Sequence, residues 1–396
     1  MAKEKVELLT ELKQGASQFT LVGKAVIKDG ALKGVLQKEG KTWRHVNSSF
    51  GVDTGDGNSV YARIWGGYKT DKPTLKRWNS ENEFIDIAWN DRLNESIVES
   101  VRDAELFRAG FEKDAEGKLI TKKFISEIDF EEYLREHLAD GMKVRVRGDV
   151  EYSEYNENVN RRYNIKSVYL VEPYMKDGVE TIAEDTAFIK QTYLFDEDAL
   201  KKGWERELDK NGELIIPVLV PAYVSNRKVG ETYVDVKKTL PLSQAIVIRA
   251  KDKTDEAEIA MKKKIIEKFF KIKKGLVREA QLIININEGY EESTGVELND
   301  ELRELIEMGV MTEDDIKKQV TIRGNRISEL VFKQPAVRKT DDGIVILIDD
   351  AKYAPEALII PMIDGEDDDE DDDAYANEDE EVNLGDDAFA EMFGGI

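Results

Sequence analysis

The chain has 396 residues, a formal net charge of −24 and 41% hydrophobic residues, which is enough for two domains with separate cores. It contains no cysteine, which excludes disulfides, thiol catalysis and cysteine zinc sites, and its two histidines are too few for a histidine-rich metal site. The opening segment Met1–Glu7 lacks the apolar core of a signal peptide. No apolar stretch approaches the length of a membrane span. We therefore expect a cytoplasmic protein with no membrane partner.

The first block, residues 1–175, has the pattern of a mostly β domain. Period-two alternation and β-branched residues predict strands at Phe19–Ile27, Ser59–Trp65, Phe84–Trp89, Lys143–Val150 and Tyr163–Val171. Helical spacing over 128–138, followed by Gly141, predicts one helix before the last two strands. Polar residues 154–162 predict a hairpin tip between those strands.

A polar stretch over 175–187 predicts a linker, and the second block, residues 183–363, again mixes strands with helices. The predicted strands are Glu213–Pro221, Thr232–Val236, Ala245–Arg249, Gly275–Ile286, Val320–Arg323, Ile327–Phe332 and Gly343–Ile348. The predicted helices are Glu256–Lys271, Asn299–Met308 and Asp314–Gln319. The two prolines in Glu213–Pro221 indicate that this segment is an edge or irregular strand. Each block places a helix before a glycine and a basic strand, so the two blocks could be two versions of one architecture.

The last segment, residues 364–396, is an acidic tail with an apolar tip. It holds 16 Asp or Glu and no Lys or Arg, which leaves a charge of about −8 on the rest of the chain. So dense a charge predicts disorder. The tip residues are poor choices for a solvating tail and predict burial by a partner protein, with the acids steering its approach. These candidate partner contacts are Phe389, Met392, Phe393 and Ile396.

Enzyme motifs are weak. The segment Gly34–Thr42 resembles a phosphate-binding loop, but it has five residues between its glycines and no helix pattern after it. The Asp53–Asn58 segment lacks the ligand order of a calcium loop and fits a turn between strands. We therefore predict no catalytic residues, no metal and no cofactor.

Aromatic and basic residues are interleaved in the first block. Tyr61, Arg63 and Trp65 fall on one face of a strand, and Lys143, Arg145 and Arg147 fall on one face of another. Flat rings stack on unpaired bases and cations follow phosphates. The candidate nucleic-acid contacts are Tyr61, Arg63, Trp65, Lys69, Arg77, Lys143, Arg145, Arg147, Tyr152, Tyr155, Arg161 and Arg162. The alternatives are ordinary packing for the rings and a solvated strand face for the cations.

On these strands, the long basic hairpin and the acidic tail, the chain resembles single-stranded DNA-binding proteins, most closely those of bacteriophages. The resemblance implies an OB-fold barrel in residues 1–175, which is mainly β with one helix, and a tail that recruits proteins of replication, recombination and repair. For residues 183–363 it leaves open a second barrel or an α+β partner domain. The tip ends Phe393-Gly394-Gly395-Ile396 instead of the Pro-Phe of bacterial members. If the protein comes from a phage, we expect it in the cytoplasm of the host cell.

The sequence therefore favours a non-enzymatic, sequence-tolerant binder of single-stranded DNA. The alternative is an acidic protein-interaction module, a chaperone or a DNA mimic, which explains the charge of −24 but gives the basic and aromatic strands no role. A third interpretation is a nuclease with carboxylate-bound magnesium. The sequence pattern does not decide whether the protein prefers DNA or RNA, how many nucleotides it covers, or what its oligomeric state is.

Overall fold

The computed structural model describes residues 8–155, 158–176, 178–229, 232–292, 300–310, 323–341 and 343–360. These residues belong to one compact unit, Met1–Pro361, and most of them lie in strands, in agreement with the predicted mainly β fold. The predicted helix at 314–319 and the acidic tail with its tip lie outside the described residues.

The first half contains, in chain order, β1 Ser17–Val26, β2 Val35–Leu36, β3 Trp43–Asp53, β4 Ser59–Lys69, β5 Thr74–Trp78, β6 Phe84–Ala88, α1 Glu95–Ser100, β7 Phe107–Gly110, β8 Lys122–Phe124, α2 Glu127–His137, β9 Lys143–Tyr155 and β10 Asn158–Leu170. The second half continues with β11 Tyr174–Lys176, β12 Val179–Thr181, β13 Thr186–Phe195, α3 Trp204–Asn211, β14 Glu213–Val229, β15 Thr232–Arg249, α4 Glu256–Phe270, β16 Val277–Glu292, α5 Asp300–Glu307, β17 Arg323–Pro335, β18 Val337–Thr340, β19 Gly343–Ile346 and β20 Ile348–Tyr353.

Five strands of the first half close into a barrel. β1 pairs with β3, β3 with β4, β4 with β10, β10 with β9, and β9 with β1 again. Only the β4–β10 pair is parallel. α2 lies between β4 and β9 in sequence and buries Ile128, Phe130 and Leu134. Ser126 caps α2 by accepting a hydrogen bond from the backbone N–H of Ile128. The strand order agrees with an OB-type barrel.

The second half repeats this order. β13 pairs with β14, β14 with β15, β15 in parallel with β17, β17 with β16, and β16 with β13. α4 stands between the third and fourth strands, as α2 does in the first half, and Asp255 caps it by accepting from the backbone of Ala257 and Glu258. The two halves are therefore two copies of one barrel topology.

The first strands of the two barrels pair with each other. β1 and β13 run antiparallel, with Ser17 opposite Gln191 and Val22 opposite Thr186. One hydrogen-bonded sheet thus runs through both barrels. At another contact, the side chain of Asn58 donates to the carbonyl oxygen of Ile286 at 2.9 Å and accepts from the backbone N–H of Glu288 at 2.7 Å.

Two barrel strands were missed by sequence reasoning. β13 lies between β1 and β16, and it is buried without alternation from Gln191 to Phe195. β3 reads as polar because its outward positions carry Asn47 and Ser49. The neighbours of β13, which are β1 and β16, lie far from it in the sequence, whereas β3 pairs with the adjoining strands β2 and β4.

One further prediction needs correction, and another agrees with the structure. Residues 154–162 are not a long hairpin tip, because β9 continues to Tyr155 and β10 begins at Asn158. Their polar side chains find partners in the second barrel, as in the 2.8 Å bond from Arg227 to Glu154. The prediction of an edge or irregular strand for β14 agrees with its pairing, because β15 covers one side, with a register shift between Val224 and Asn226. Its other side pairs with β13 only at Leu219, so few ladder bonds are required there.

Candidate nucleic-acid interface

The outer face of β4 carries the aromatic and basic residues singled out in the sequence. Val60, Ala62 and Ile64 are buried in the barrel, whereas Tyr61, Arg63 and Trp65 alternate with them and point outward. The Trp65 side chain is 37% exposed. The predicted sharing of one strand face is therefore present.

Trp43 and His45 of the neighbouring strand β3 extend this face. The Trp43 ring lies 6.3 Å from that of Trp65, at an interplanar angle of 43°, and it stacks on His45 at 5.9 Å. We call the residues Trp43, His45, Tyr61 and Trp65 the aromatic face. Sequence reasoning missed Trp43 and treated His45 as a surface or packing residue. One signal was available in the sequence. Trp43 and His45 are two positions apart, which places them on one face of a strand, and they precede the aromatic strand β4.

Cations border the aromatic face on β4. The Arg63 guanidinium lies 5.7 Å from the ring centroid of Trp65. Arg63 also donates from Nε to the side-chain oxygen of Asn164 at 2.8 Å and forms an ion pair with Glu151 at 3.0 Å. Lys69 is exposed and stands opposite Trp43 in the strand register. Rings and positive charge therefore share one surface.

A row of cations follows the outer face of β9. Lys143, Arg145 and Arg147 alternate with the buried Val144 and Val146, as predicted. Lys143 pairs with Asp185 at 2.7 Å. Neither arginine has an ion-pair partner within the described part of the chain.

The cation row and the aromatic face belong to one barrel wall. Arg63 on β4 stands opposite Asn164 on β10, which in turn stands opposite Asp149 on β9, two residues from Arg147. Exposed Arg162 lies on β10, opposite Glu151. The wall from β3 to β9 thus combines rings and cations with carboxylates that include those of Asp149 and Glu151.

The structure does not bring three of the predicted contacts to this wall. Tyr152 faces the interior, where burial raises the pKa of its phenol well above the ordinary value and its hydroxyl donates to Gln191 at 3.2 Å. The Arg161 side chain is 12% exposed and pairs with Glu288 of the second barrel at 3.1 Å. Arg77 donates to the carbonyl oxygen of Ile125 at 2.8 Å and pairs with Glu127 at 2.9 Å.

Strand parity explains the positions of Tyr152 and Arg161. Tyr152 falls on the same side of β9 as buried Val150, and Arg161 falls on the side of β10 opposite to Arg162. Tyr155 is the last residue of β9, and its side chain is not among those that the structure describes. The tip residues Phe389, Met392, Phe393 and Ile396 also lie outside the described residues.

The corresponding strands of the second barrel have different chemistry. Arg249 on β15 is neutralised by Glu213 at 2.7 Å and by Glu329 at 2.9 Å. Ile215 on β14 is exposed and lines a cavity of about 350 Å³ together with Trp204. Tyr223 and Tyr233 are exposed, but their partners in the β14–β15 register place them on opposite faces of the hairpin. The ring-and-cation wall is therefore a property of the first barrel.

Within the described ranges, no group of three or more His, Asp or Glu side chains is arranged to hold a metal ion. Among the same residues, no helix has the length and apolarity needed to cross a membrane.

Comparison with known proteins gives structural matches only. No family model matches the chain, and no curated protein matches it. The solved structure of wild-type single-stranded DNA binding protein from Thermus aquaticus matches at 10% sequence identity and a TM-score of 0.27, covering 70% of this chain and 87% of that one. A deletion mutant of the same Thermus aquaticus protein matches at 10% identity and a TM-score of 0.25, covering 70% and 89%.

Proposed function

We propose that this protein binds single-stranded DNA without sequence preference, and that it protects and organises the strand during replication, recombination and repair. The observation that carries the proposal is the aromatic face, bordered by Arg63 and Lys69 on the outside of the first barrel. Strands two and three of an OB-type barrel are the usual place for an oligonucleotide. β3 and β4 hold those positions here.

The proposed mechanism divides the work between rings and cations. Bases stack on Trp43, Tyr61 and Trp65, while Arg63 and Lys69 contact the adjoining phosphates. The row of Lys143, Arg145 and Arg147 carries the phosphates further along the same wall. Stacking is open to every base because each has a π-face, so this arrangement explains binding without sequence readout.

The acidic tail has a separate proposed role. Its apolar tip docks on proteins of replication or recombination, and its 16 carboxylates compete with DNA for the cationic wall. Both roles follow from charge and composition, and they do not require the tail to take part in the barrels.

The experiment that tests the proposal is a titration with oligo(dT), followed by tryptophan fluorescence. Stacking on Trp43 and Trp65 should quench the emission, and affinity should fall linearly with the logarithm of salt concentration as counterions are released. A parallel titration with oligo(rU) measures the preference between DNA and RNA. If the titration shows no quenching and no binding, the result would favour the alternative of an acidic interaction module, which the net charge of −24 also suggests.

A further inference from the structure

A second exposed aromatic pair lies outside the barrel wall, on the hairpin formed by β5 and β6. Trp78 and Phe84 stand opposite each other in the register, with ring centroids 5.2 Å apart and an interplanar angle of 60°. Trp78 is 40% exposed and Phe84 is 55% exposed. The opposite side of the hairpin is covered, since Leu75 and Ile87 are buried. The exposed pair is therefore not required for the core.

Cations flank both rings. The Lys76 ammonium lies 6.0 Å from the centroid of Phe84, and the Arg102 guanidinium lies 5.9 Å from that of Trp78. Arg102 also pairs with Glu105 at 2.9 Å, and Lys76 stands opposite Asp86. Flat apolar rings with positive charge at their margins suit a ligand that carries both planar rings and negative charge.

The hairpin is held firmly against the barrel. Arg77, on its covered side, donates to the carbonyl oxygen of Ile125 at 2.8 Å and pairs with Glu127 in the first turn of α2. The chain that follows the hairpin is fixed by Trp89, which stacks on Tyr68 at 3.9 Å. Arg92 closes this anchor, with its guanidinium 3.8 Å from the Trp89 centroid and bonded to Asp129 at 2.8 Å. The exposed pair thus has a fixed position relative to β4.

The hairpin also follows directly from the strand that carries Trp65. β4 ends at Lys69 and β5 begins at Thr74. Trp78 follows Lys69 by nine positions, which limits the distance between their Cα atoms to about 30 Å. A strand that leaves the aromatic face beside Lys69 can therefore reach the hairpin without a long gap.

We propose that Trp78 and Phe84 form a second base-stacking station for single-stranded DNA, reached only by strands long enough to extend beyond the barrel wall. This inference rests on the proposed function, because it continues the path of DNA bound to the aromatic face. In this proposal, the insertion between β4 and α2 helps to determine how many nucleotides one protein molecule covers.

The test compares short and long oligo(dT) on four proteins. They are the wild type, the double variant Trp78→Leu/Phe84→Leu, the variant Trp65→Ala, and the control Leu93→Ala. Leucine keeps apolar bulk at the hairpin but removes the flat rings. Leu93 lies in the same insertion and is 67% exposed, so the control removes an exposed apolar side chain that cannot stack. Thermal unfolding of each protein is measured alongside.

The double variant should bind the long oligonucleotide about tenfold more weakly and the short one as the wild type does. Leu93→Ala should bind both normally, and Trp65→Ala should weaken both. Normal binding of the long oligonucleotide by the double variant, with loss in Trp65→Ala, would overturn the second station and leave the barrel site standing. An equal loss on both lengths would place the pair inside the barrel site and also overturn it. Full binding of both lengths by Trp65→Ala would remove Trp65 from the barrel site and overturn the DNA path on which the station rests.

Discussion

Arg63 and Glu151 form an ion pair on the barrel wall, with 3.0 Å between Nη2 of the arginine and Oε2 of the glutamate. Asn164 stands between their strands, donating to the same Glu151 oxygen at 2.7 Å and accepting from Nε of Arg63 at 2.8 Å. A guanidinium binds carboxylate and phosphate oxygens with the same geometry. In the proposed complex with DNA, Glu151 would both orient Arg63 for a phosphate and compete with that phosphate.

The substitution Glu151→Gln should tighten binding of oligo(dT). It removes the negative charge that competes for Arg63 but keeps a polar side chain of similar size beside Asn164. We expect a gain of about three- to tenfold at low salt, corresponding to about 1 kcal/mol for an exposed ion pair. The control is Glu256→Gln, which makes the same change in net charge on an exposed residue of the second barrel. Equal effects of the two substitutions would show that net charge alone is responsible.

The substitution Trp65→Ala should weaken DNA binding about tenfold without unfolding the protein, because an exposed ring contributes stacking and little core packing. Trp43→Ala should have a similar effect, and Trp65→Phe should retain most of the affinity. Fluorescence anisotropy of labelled oligo(dT) measures the affinity, and circular dichroism confirms the fold. Unchanged affinity in Trp65→Ala would remove this residue from the site.

The substitutions Arg145→Ala and Arg147→Ala should each reduce the slope of log affinity against log salt by about 1, since each removes one phosphate contact. Affinity should fall for all sequences alike. Lys264→Ala, on the exposed side of α4, is the matched loss of one positive charge. If the two arginine variants keep the wild-type slope, the row on β9 is an ordinary solvated face.

Alanine substitution of the adjacent residues Arg161 and Arg162 should affect stability at the first position and leave it unchanged at the second. Arg161→Ala leaves Glu288 and the hydroxyl of Tyr163 without a buried cation, because Arg161 bonds them at 3.1 and 2.9 Å. The pair is partly buried, with side-chain exposures of 12% and 23%, so breaking it should cost about 3 kcal/mol of unfolding free energy, the lower end of the range for buried pairs. Arg162→Ala should leave stability unchanged within about 0.5 kcal/mol. Urea unfolding measures both, and similar losses in the two variants would refute this division of roles.

Deletion of residues 364–396 should leave DNA binding intact or tighten it, while abolishing recruitment of partner proteins. The physical reason is that 16 carboxylates no longer compete with phosphates for the cationic wall. The gain should shrink as salt screens the charges. Clearly weaker DNA binding by the truncated protein would contradict the competition model.

The sequence predicts those features of the site that depend on a single strand. Alternation alone indicated that Tyr61, Arg63 and Trp65 share one face, and that Lys143, Arg145 and Arg147 share another. It could not supply partners from distant segments. Trp43 joins Trp65 only through the pairing of β3 with β4, which the sequence pattern did not reveal.

Arg161 and Tyr152, the predicted contacts that the structure buries, also depend on partners that the sequence pattern does not reveal. Arg161 and Arg162 look equivalent in the sequence, and only the second barrel distinguishes them, because it supplies Glu288 to one of the two faces. Tyr152 is buried against Gln191 of β13, a strand that the sequence reasoning did not identify. Aromatic and basic composition thus indicates a binding surface, whereas tertiary packing decides which members reach it.

The antiparallel joint between β1 and β13 has a consequence for solubility and for motion. At this joint each barrel covers the backbone edge of the other from Ser17 to Val22, so neither presents an open template for a foreign strand there. The same ladder of bonds makes an independent swing of one barrel costly. DNA bound to the wall of the first barrel would therefore be held on one rigid two-barrel body, whereas two barrels joined by a free linker would move independently.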